Sequence, residues 1–102
     1  MLIKKLEKAG SLIDLTNAKI VKAGFVVLKE GEEVGEHVAK QKEEIIVILE
    51  GRARVVCENE EKLVRERSVI YIPENSKHNV INAGENFLKY VYITALFNVL
   101  NK

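Results

Sequence analysis

The chain has 102 residues, enough for one small domain with a hydrophobic core. Its 16 basic and 15 acidic residues are interspersed and leave a formal net charge of +1. This balance argues against nucleic acid or a membrane surface as a partner. The first residues, MLIKKLE, carry charge too early for a signal peptide, and no apolar run reaches transmembrane length. The single cysteine, Cys57, leaves no disulfide framework, so we expect a cytoplasmic protein.

The composition also carries a hint about the source organism. Glutamate occurs 14 times against a single aspartate, lysine occurs 12 times, and glutamine occurs once. Enrichment in lysine and glutamate with little glutamine is typical of growth at high temperature. We therefore expect a thermophilic source.

Short strands separated by polar turns account for most of the chain. Residues 2–8 suit either a short helical turn or an edge strand, and residues 94–101 suit a closing helical turn. Between them, the pattern predicts strands at 12–15, 19–29, 37–40, 43–50, 52–58, 62–65, 69–72, 78–82 and 87–96. This even spacing, with 23 valine and isoleucine residues, predicts an all-β sandwich or barrel. No linker interrupts it, so we expect residues 1–102 to form a single domain.

The stretch from Gly31 to Gly51 holds a histidine, His37, and a carboxylate, Glu44, on successive predicted strands. Residues two apart on a strand face the same side, so His37 shares its face with Ala39. A histidine and a carboxylate on neighbouring strands can converge in one cavity. Imidazole and carboxylate are metal ligands, so this stretch is a candidate metal site.

A second stretch, residues 73–82, reads PENSKHNVIN and contains the only other histidine. The two stretches together resemble the two motifs of the cupin superfamily. The first motif is a glycine, five residues, His-x-His, three or four residues, a glutamate, six residues and a glycine; its matches are Gly31, His37, Glu44 and Gly51. The second is a glycine, five residues, Pro-x-Gly, two residues, a histidine, three residues and an asparagine; its matches are Pro73, His78 and Asn82.

This resemblance implies a small single-domain cupin, a jelly-roll β-barrel, with His37, Glu44 and His78 as metal ligands. Two histidines and one carboxylate leave coordination positions open, which suits Fe, Mn, Ni or Zn. Ala39 stands where the family usually places its second histidine. We expect it to leave a gap where a fourth ligand could sit. If the site with only three ligands is vestigial, it binds no metal.

Two further departures concern turns. Arg67 stands where the second motif begins with glycine, and Asn75 replaces its second glycine. Asparagine tolerates positive φ better than most residues, so we expect the turn at Asn75 to be kept.

Alternation along the strands predicts the walls of a cavity. In 52–58 the arginines should face solvent and Cys57 should face inward, and in 87–96 Lys89 should face solvent. The residues predicted to line the pocket are Ala39, Ile46, Ile48, Val55, Val80, Tyr90 and Tyr92. Mostly apolar walls with a few convergent polar groups are typical of a small-ligand site.

Each polar residue also has a structural alternative. His37 could be a surface histidine beside Glu36, and Glu44 could be an exposed glutamate at the start of a strand. If Glu44 faces inward, it needs a cation or hydrogen-bond donors. Asn82 could support a ligand histidine from behind, or it could cap a turn.

Two functions remain open at this point. The first is a binding module that holds a small molecule beside a divalent metal. The alternative is a metal-dependent enzyme, of oxygenase or isomerase type, acting on a small polar or aromatic substrate. The sequence offers no convincing general base besides the ligands.

A small barrel with uncovered strand edges also predicts self-association. We expect a two-fold homodimer in which either the N-terminal strands, such as 12–15, or one sheet face packs against the partner. The outward residues Val91 and Ile93 are candidates for the interface.

Overall fold

A computed structural model describes residues 1–97, and these form nine strands and no helix. The strands are β1 (Gly10–Ile13), β2 (Val21–Leu28), β3 (His37–Val38), β4 (Lys42–Glu50), β5 (Arg52–Cys57), β6 (Glu60–Arg65), β7 (Ser68–Ile72), β8 (Lys77–Asn82) and β9 (Leu88–Leu96). All nine correspond to predicted strands, so the all-β prediction is confirmed. The described residues include no helix long and apolar enough to cross a membrane.

The strands form two antiparallel sheets that face each other as a jelly-roll barrel. One sheet has five strands in the order β1-β2-β9-β4-β7, and the other has four in the order β3-β8-β5-β6. Neighbours in the sheets are mostly distant in sequence: β9, for example, pairs with both β2 and β4. This crossed connectivity places residues from both halves of the chain on the inner faces.

The core lies between the two sheets and follows the predicted alternation. Ile46 and Ile48 on β4 are fully buried, whereas Ile45 and Leu49 on the same strand are exposed. The buried apolar cluster comprises Leu28, Ile46, Ile48, Ala53, Val55, Ile72, Val80, Leu88 and Tyr90. Stiff β-branched side chains suit this packing because they lose little freedom on a pleated surface. Cys57 faces inward, as predicted, and is partly buried against this cluster.

The first strand differs from its prediction because of a local turn. β1 ends at Ile13 instead of residue 15, since Asp14 begins a tight turn. The Thr16 amide donates to the Asp14 carboxylate at 2.9 Å, and the Asp14 amide donates to the Asn17 side-chain oxygen at 3.0 Å. Such side-chain bonds to the backbone compete with strand pairing and end it.

Both termini differ from the alternatives considered for them. Residues 2–8 form neither a helical turn nor an edge strand. The helical turn predicted over 94–101 is wrong for Thr94–Leu96, which belong to β9, and residues 98–101 lie outside the described part of the chain.

The two turns that lack the glycines of the cupin motifs both keep a left-handed residue. Arg67 has φ of 67° and Asn75 has φ of 64°. The turn at Asn75 is therefore kept, as predicted. Arg67 adopts the same conformation without the tolerance of asparagine, and such a conformation costs an ordinary side chain about 1–2 kcal/mol.

Candidate metal centre

Three strands bring His37, Glu44 and His78 together inside the barrel. His37 on β3 lies directly opposite His78 on β8, and their ring centroids are 4.1 Å apart. Glu44 reaches them from β4 in the facing sheet. One potential ligand atom from each residue lies within 4.8 Å of the other two. The structure therefore assembles the three residues that the motif spacing singled out.

Hydrogen bonds to the backbone fix both imidazole rings. His37 Nδ1 lies 2.9 Å from the Gly35 carbonyl oxygen, and His78 Nδ1 lies 3.1 Å from the Ser76 carbonyl oxygen. A carbonyl oxygen only accepts, so each Nδ1 must carry the hydrogen and each Nε2 keeps its lone pair. This is the arrangement that orients a histidine for metal binding through Nε2.

The buried Nε2 of His78 has no hydrogen-bond partner among the described residues. It lies 3.6 Å from a Glu44 carboxylate oxygen, which is beyond hydrogen-bond distance. Two ligands of a tetrahedral ion with bonds near 2.1 Å lie about 3.4 Å apart, close to this separation. The buried pair therefore fits a divalent cation, and the third potential ligand, the exposed His37, offers an atom within 4.8 Å of both.

Different parts of the environment of His78 shift the pKa of its imidazole in opposite directions. Burial lowers the pKa of the imidazole, but the Glu44 carboxylate and the Ser76 carbonyl raise it, and the net pKa lies above its usual value of 6.5. The carboxylate acts here as an electrostatic partner, because the 3.6 Å separation is too long for a strong hydrogen bond. Without a metal, a proton on His78 stabilises the same carboxylate.

A cavity of about 320 Å³ adjoins the three residues. Besides the triad, it is lined by Lys22, Val26, Val34, Lys42, Val80, Tyr90, Tyr92 and Thr94. Three of the predicted wall residues, Val80, Tyr90 and Tyr92, are among these. The others are not: Ile46 and Ile48 are fully buried in the core, and Val55 lines a different cavity.

Ala39 also differs from its prediction. Its side chain is 0% exposed, and it does not line the cavity, so it leaves no gap beside His37. The reason is local: β3 ends at Val38, where the Lys40 amide turns back to the Val38 carbonyl at 3.0 Å. The two-residue alternation of a strand therefore no longer applies at position 39.

Asn82 supports the chain turn between β8 and β9. Its side-chain amide donates to the carbonyl oxygens of Leu28 at 3.0 Å and Asn86 at 2.8 Å, and its oxygen accepts from the Gly84 amide at 2.9 Å. None of these bonds reaches the triad. Of the two roles considered for Asn82, the geometry corresponds to the turn.

Two tyrosines form much of the cavity wall. Burial, and secondarily the charge of Glu44, raises the pKa of Tyr90, so its phenol stays protonated. Tyr92 lies against Gly24 on the neighbouring strand, where an added Cβ would be 2.4 Å from the ring. A side chain at position 24 would therefore displace the Tyr92 ring and reshape the cavity.

A larger cavity, of about 620 Å³, lies between the edge strands β6 and β7 and is lined by residues such as Cys57, Val64 and Tyr71. Volume alone would favour it as the functional site. Within residues 1–97, however, the only cluster of three potential metal ligands is the triad. The cluster of potential metal ligands therefore adjoins the smaller cavity.

An antiparallel two-sheet barrel with histidine and glutamate side chains of the two motifs gathered between its sheets is typical of the cupin class of proteins. Residues 24–94 match the cupin domain family, and the chain belongs to this family. A curated relative, the polyketide synthase CurC of Streptomyces cyaneus, is 28% identical over 69 residues. That match includes 68% of this chain but only 45% of the relative's length.

Solved structures show the same fold. The Cnp3 cupin domain of Schizosaccharomyces pombe aligns with a TM-score of 0.82 at 20% identity, over 99% of this chain and 72% of that one. An RmlC-like cupin of Methanocaldococcus jannaschii, described as a double-stranded β-helix, has a TM-score of 0.81 at 21% identity and covers 100% and 99%. A predicted oxalate decarboxylase of Thermotoga maritima has a TM-score of 0.80 at 20% identity and covers 87% and 79%. At these identities the likeness concerns the fold alone.

Proposed function

We propose that this cupin domain binds a divalent metal ion through His37, Glu44 and His78, and a small molecule in the adjoining cavity. The observation that carries the proposal is the buried Nε2 of His78, which lacks a hydrogen-bond partner and lies 3.6 Å from the Glu44 carboxylate. An unpartnered lone pair beside a buried carboxylate is costly unless a proton or a metal ion satisfies both. Fe(II), Mn(II), Ni(II) and Zn(II) accept this ligand set and keep coordination positions for water or a ligand.

The residues around the triad have distinct tasks in this proposal. The carbonyls of Gly35 and Ser76 hold the two imidazoles, so that each Nε2 points away from its own backbone bond. Val80 and Tyr90 are almost fully buried and form an apolar part of the cavity wall. The bound metal would act as a Lewis acid towards an oxygen atom of the small molecule.

A metal-dependent enzyme, of oxygenase or isomerase type, is the second candidate. The observation that favours it is Tyr90, a buried phenol kept protonated in the cavity that Glu44 also lines, and able to donate a hydrogen bond to a ligand. In that case Tyr90→Phe lowers turnover and leaves metal affinity unchanged. In a binding module the same substitution affects only the fit of the ligand.

The test of the proposal uses adjacent glutamates as a matched pair. Glu44 faces the cavity, whereas Glu43 accepts a hydrogen bond from Tyr71 at 2.8 Å outside it. Metal-stripped protein is titrated calorimetrically with Mn(II), Ni(II) and Zn(II). We expect Glu44→Gln to lose at least about tenfold in affinity, since even residues that only orient a ligand contribute that much. Glu43→Gln should bind like the wild type.

His37→Ala provides a second variant, because His37 is exposed and its removal leaves the core intact. It should weaken binding to a similar extent as Glu44→Gln. The proposal is wrong if the wild type binds none of the three ions, or if Glu44→Gln and Glu43→Gln bind equally well.

A further inference from the structure

A row of three polar residues crosses the inner face of the five-stranded sheet, starting at the triad. Glu44 on β4 lies directly opposite Thr94 on β9, and Thr94 lies directly opposite Lys22 on β2. Directly opposite residues point to the same face, and adjacent strands are about 4.8 Å apart. All three residues line the same cavity. A carboxylate, a hydroxyl and an ammonium group therefore follow one another across about 10 Å of sheet.

The middle residue of this row has an unused hydrogen-bonding group. Thr94 is 3% exposed, and its Oγ1 has no partner among the described residues. The only other buried side-chain atom in this state within residues 1–97 is Nε2 of His78, in the same cavity. A buried hydroxyl without a partner is unfavourable, so a ligand in this cavity would gain by placing a polar atom beside Thr94 as well as beside the triad.

The charge of the cavity favours an anion. Lys22 and Lys42 line it, and neither forms a salt bridge within residues 1–97. Asp14 is influenced by the charge of Lys22, but its carboxylate bonds to Thr16 and does not line the cavity. Glu44 is the only carboxylate in the lining, and a divalent metal more than neutralises it.

We infer that the ligand of this cavity is a small organic anion with oxygen-bearing groups at both ends, such as a short dicarboxylate. One end lies at the triad, the Thr94 hydroxyl donates to the anion, and the other carboxylate lies beside Lys22 and Lys42. A cavity of about 320 Å³ is at the small end of ligand sites, which suits a short acid. The metal-bound end rests on the proposed function, whereas the contacts with Lys22 and Thr94 do not need the metal.

The test measures the affinities of malonate, succinate and the neutral analogue malonamide, by calorimetry, for metal-free and Mn(II)-loaded protein. We expect the wild type to bind the better-fitting acid at least about tenfold more tightly than malonamide, and less tightly at high salt. Lys22→Gln should weaken acid binding about fivefold, because an exposed ammonium contributes about 1 kcal/mol. Thr94→Val keeps the shape of the side chain but removes the hydroxyl, and it should also cost about fivefold.

Lys29→Gln is the matched control. It removes the same charge from the loop that follows β2, away from the cavity. The inference is supported if Lys22→Gln weakens acid binding and Lys29→Gln does not. It is overturned if neither acid binds either form of the protein, if malonamide binds as tightly as the acids, or if the two lysine variants behave alike.

The two proposals can fail separately in this design. If the protein takes up no metal but binds the acids in a way that depends on Lys22, the anion site is supported and the metal site is rejected. Metal binding with no preference for the acids supports the metal site and rejects the anion site.

Discussion

At the scale of single residues, Gly51 shows why the first cupin motif ends in glycine. Gly51 joins β4 to β5 with φ of 88°, and an added Cβ would lie 2.5 Å from the backbone oxygen of Phe87. The contact is with backbone, which cannot rotate away. Gly31, at the start of the motif, has a similar φ of 78° but nothing within 4 Å of an added Cβ.

Substituting Gly31 and Gly51 distinguishes the cost of backbone strain from the cost of a steric clash. We expect Gly31→Ala to cost about 1–2 kcal/mol of unfolding free energy, the usual cost of a left-handed alanine. Gly51→Ala should cost a further 1–3 kcal/mol or so, because the neighbouring strand must also shift. Urea unfolding of both variants measures the difference. Equal losses would mean that the turn at Gly51 relaxes freely.

Protonation of His78 gives a second prediction at this scale. Its pKa is raised in the fold, so in the metal-free protein the charged imidazole adds stability below the unfolded value of about 6.5. This contribution is lost as the pH rises through the folded-state pKa. Metal binding has the opposite dependence, because metal and proton compete for Nε2, so affinity should fall as the pH drops through the same value.

An NMR titration of the metal-free protein checks the cause of this shift. The His78 ring should titrate above 6.5 in the wild type and at a lower pH in Glu44→Gln, where burial is no longer opposed by the carboxylate. An unchanged midpoint in Glu44→Gln would show that the carboxylate does not act on the imidazole.

At the scale of elements, β3 determines what position 39 can hold. The strand has only two residues, and Ala39 beyond it is fully buried, with its amide donating to Ser76 and its carbonyl accepting from Asn75. We expect Ala39→His to lower the unfolding free energy by about 1–3 kcal/mol through overpacking, without raising metal affinity. Ala39→Ser, which adds a single oxygen, is the milder control. If Ala39→His bound metal more tightly at unchanged stability, the β3 strand would extend beyond Val38, with position 39 facing the cavity.

The same elements show how far the sequence predicts this fold. Alternation placed Ile46, Tyr90 and Lys89 on the correct faces, because β4 and β9 are long regular strands with one buried side. Motif spacing placed the triad, since His37, Glu44 and His78 fall on β3, β4 and β8, which the fold brings together.

The depth of the cavity and the pairing of distant strands were not predictable in this way. Ile46 and Ile48 share the face of Glu44, but they lie in the core and do not line the cavity, which a two-residue period does not reveal. Lys22 and Thr94 meet only because β2 pairs with β9, and this register depends on contacts across 72 residues of chain. Their part in the cavity therefore appears only in three dimensions.

At the scale of the whole molecule, part of the outer face of the five-stranded sheet is apolar. Ile45 lies opposite both Ile93 and Tyr71, and all three are exposed, Tyr71 by 57% and Ile93 by 38%. Val69 on the edge strand β7 is 69% exposed. Val91, the other residue considered for an interface, is only partly exposed. A contiguous apolar surface of this kind is typical of an interaction site.

We propose that a second copy of the chain covers this face in a two-fold homodimer. The row formed by Ile45, Ile93 and Tyr71 carries no charge, so the same patch can pack against itself about a two-fold axis.

Sedimentation equilibrium should give a dimer at micromolar concentration. Ile93→Lys should shift it towards monomer, because each dimer would then bury two unpaired charges. Leu63→Lys changes an equally apolar side chain, 71% exposed on β6 of the other sheet, and should leave the dimer intact. If the wild type is a monomer, this contact does not exist. If Leu63→Lys disrupts the dimer and Ile93→Lys does not, the contact lies elsewhere on the molecule.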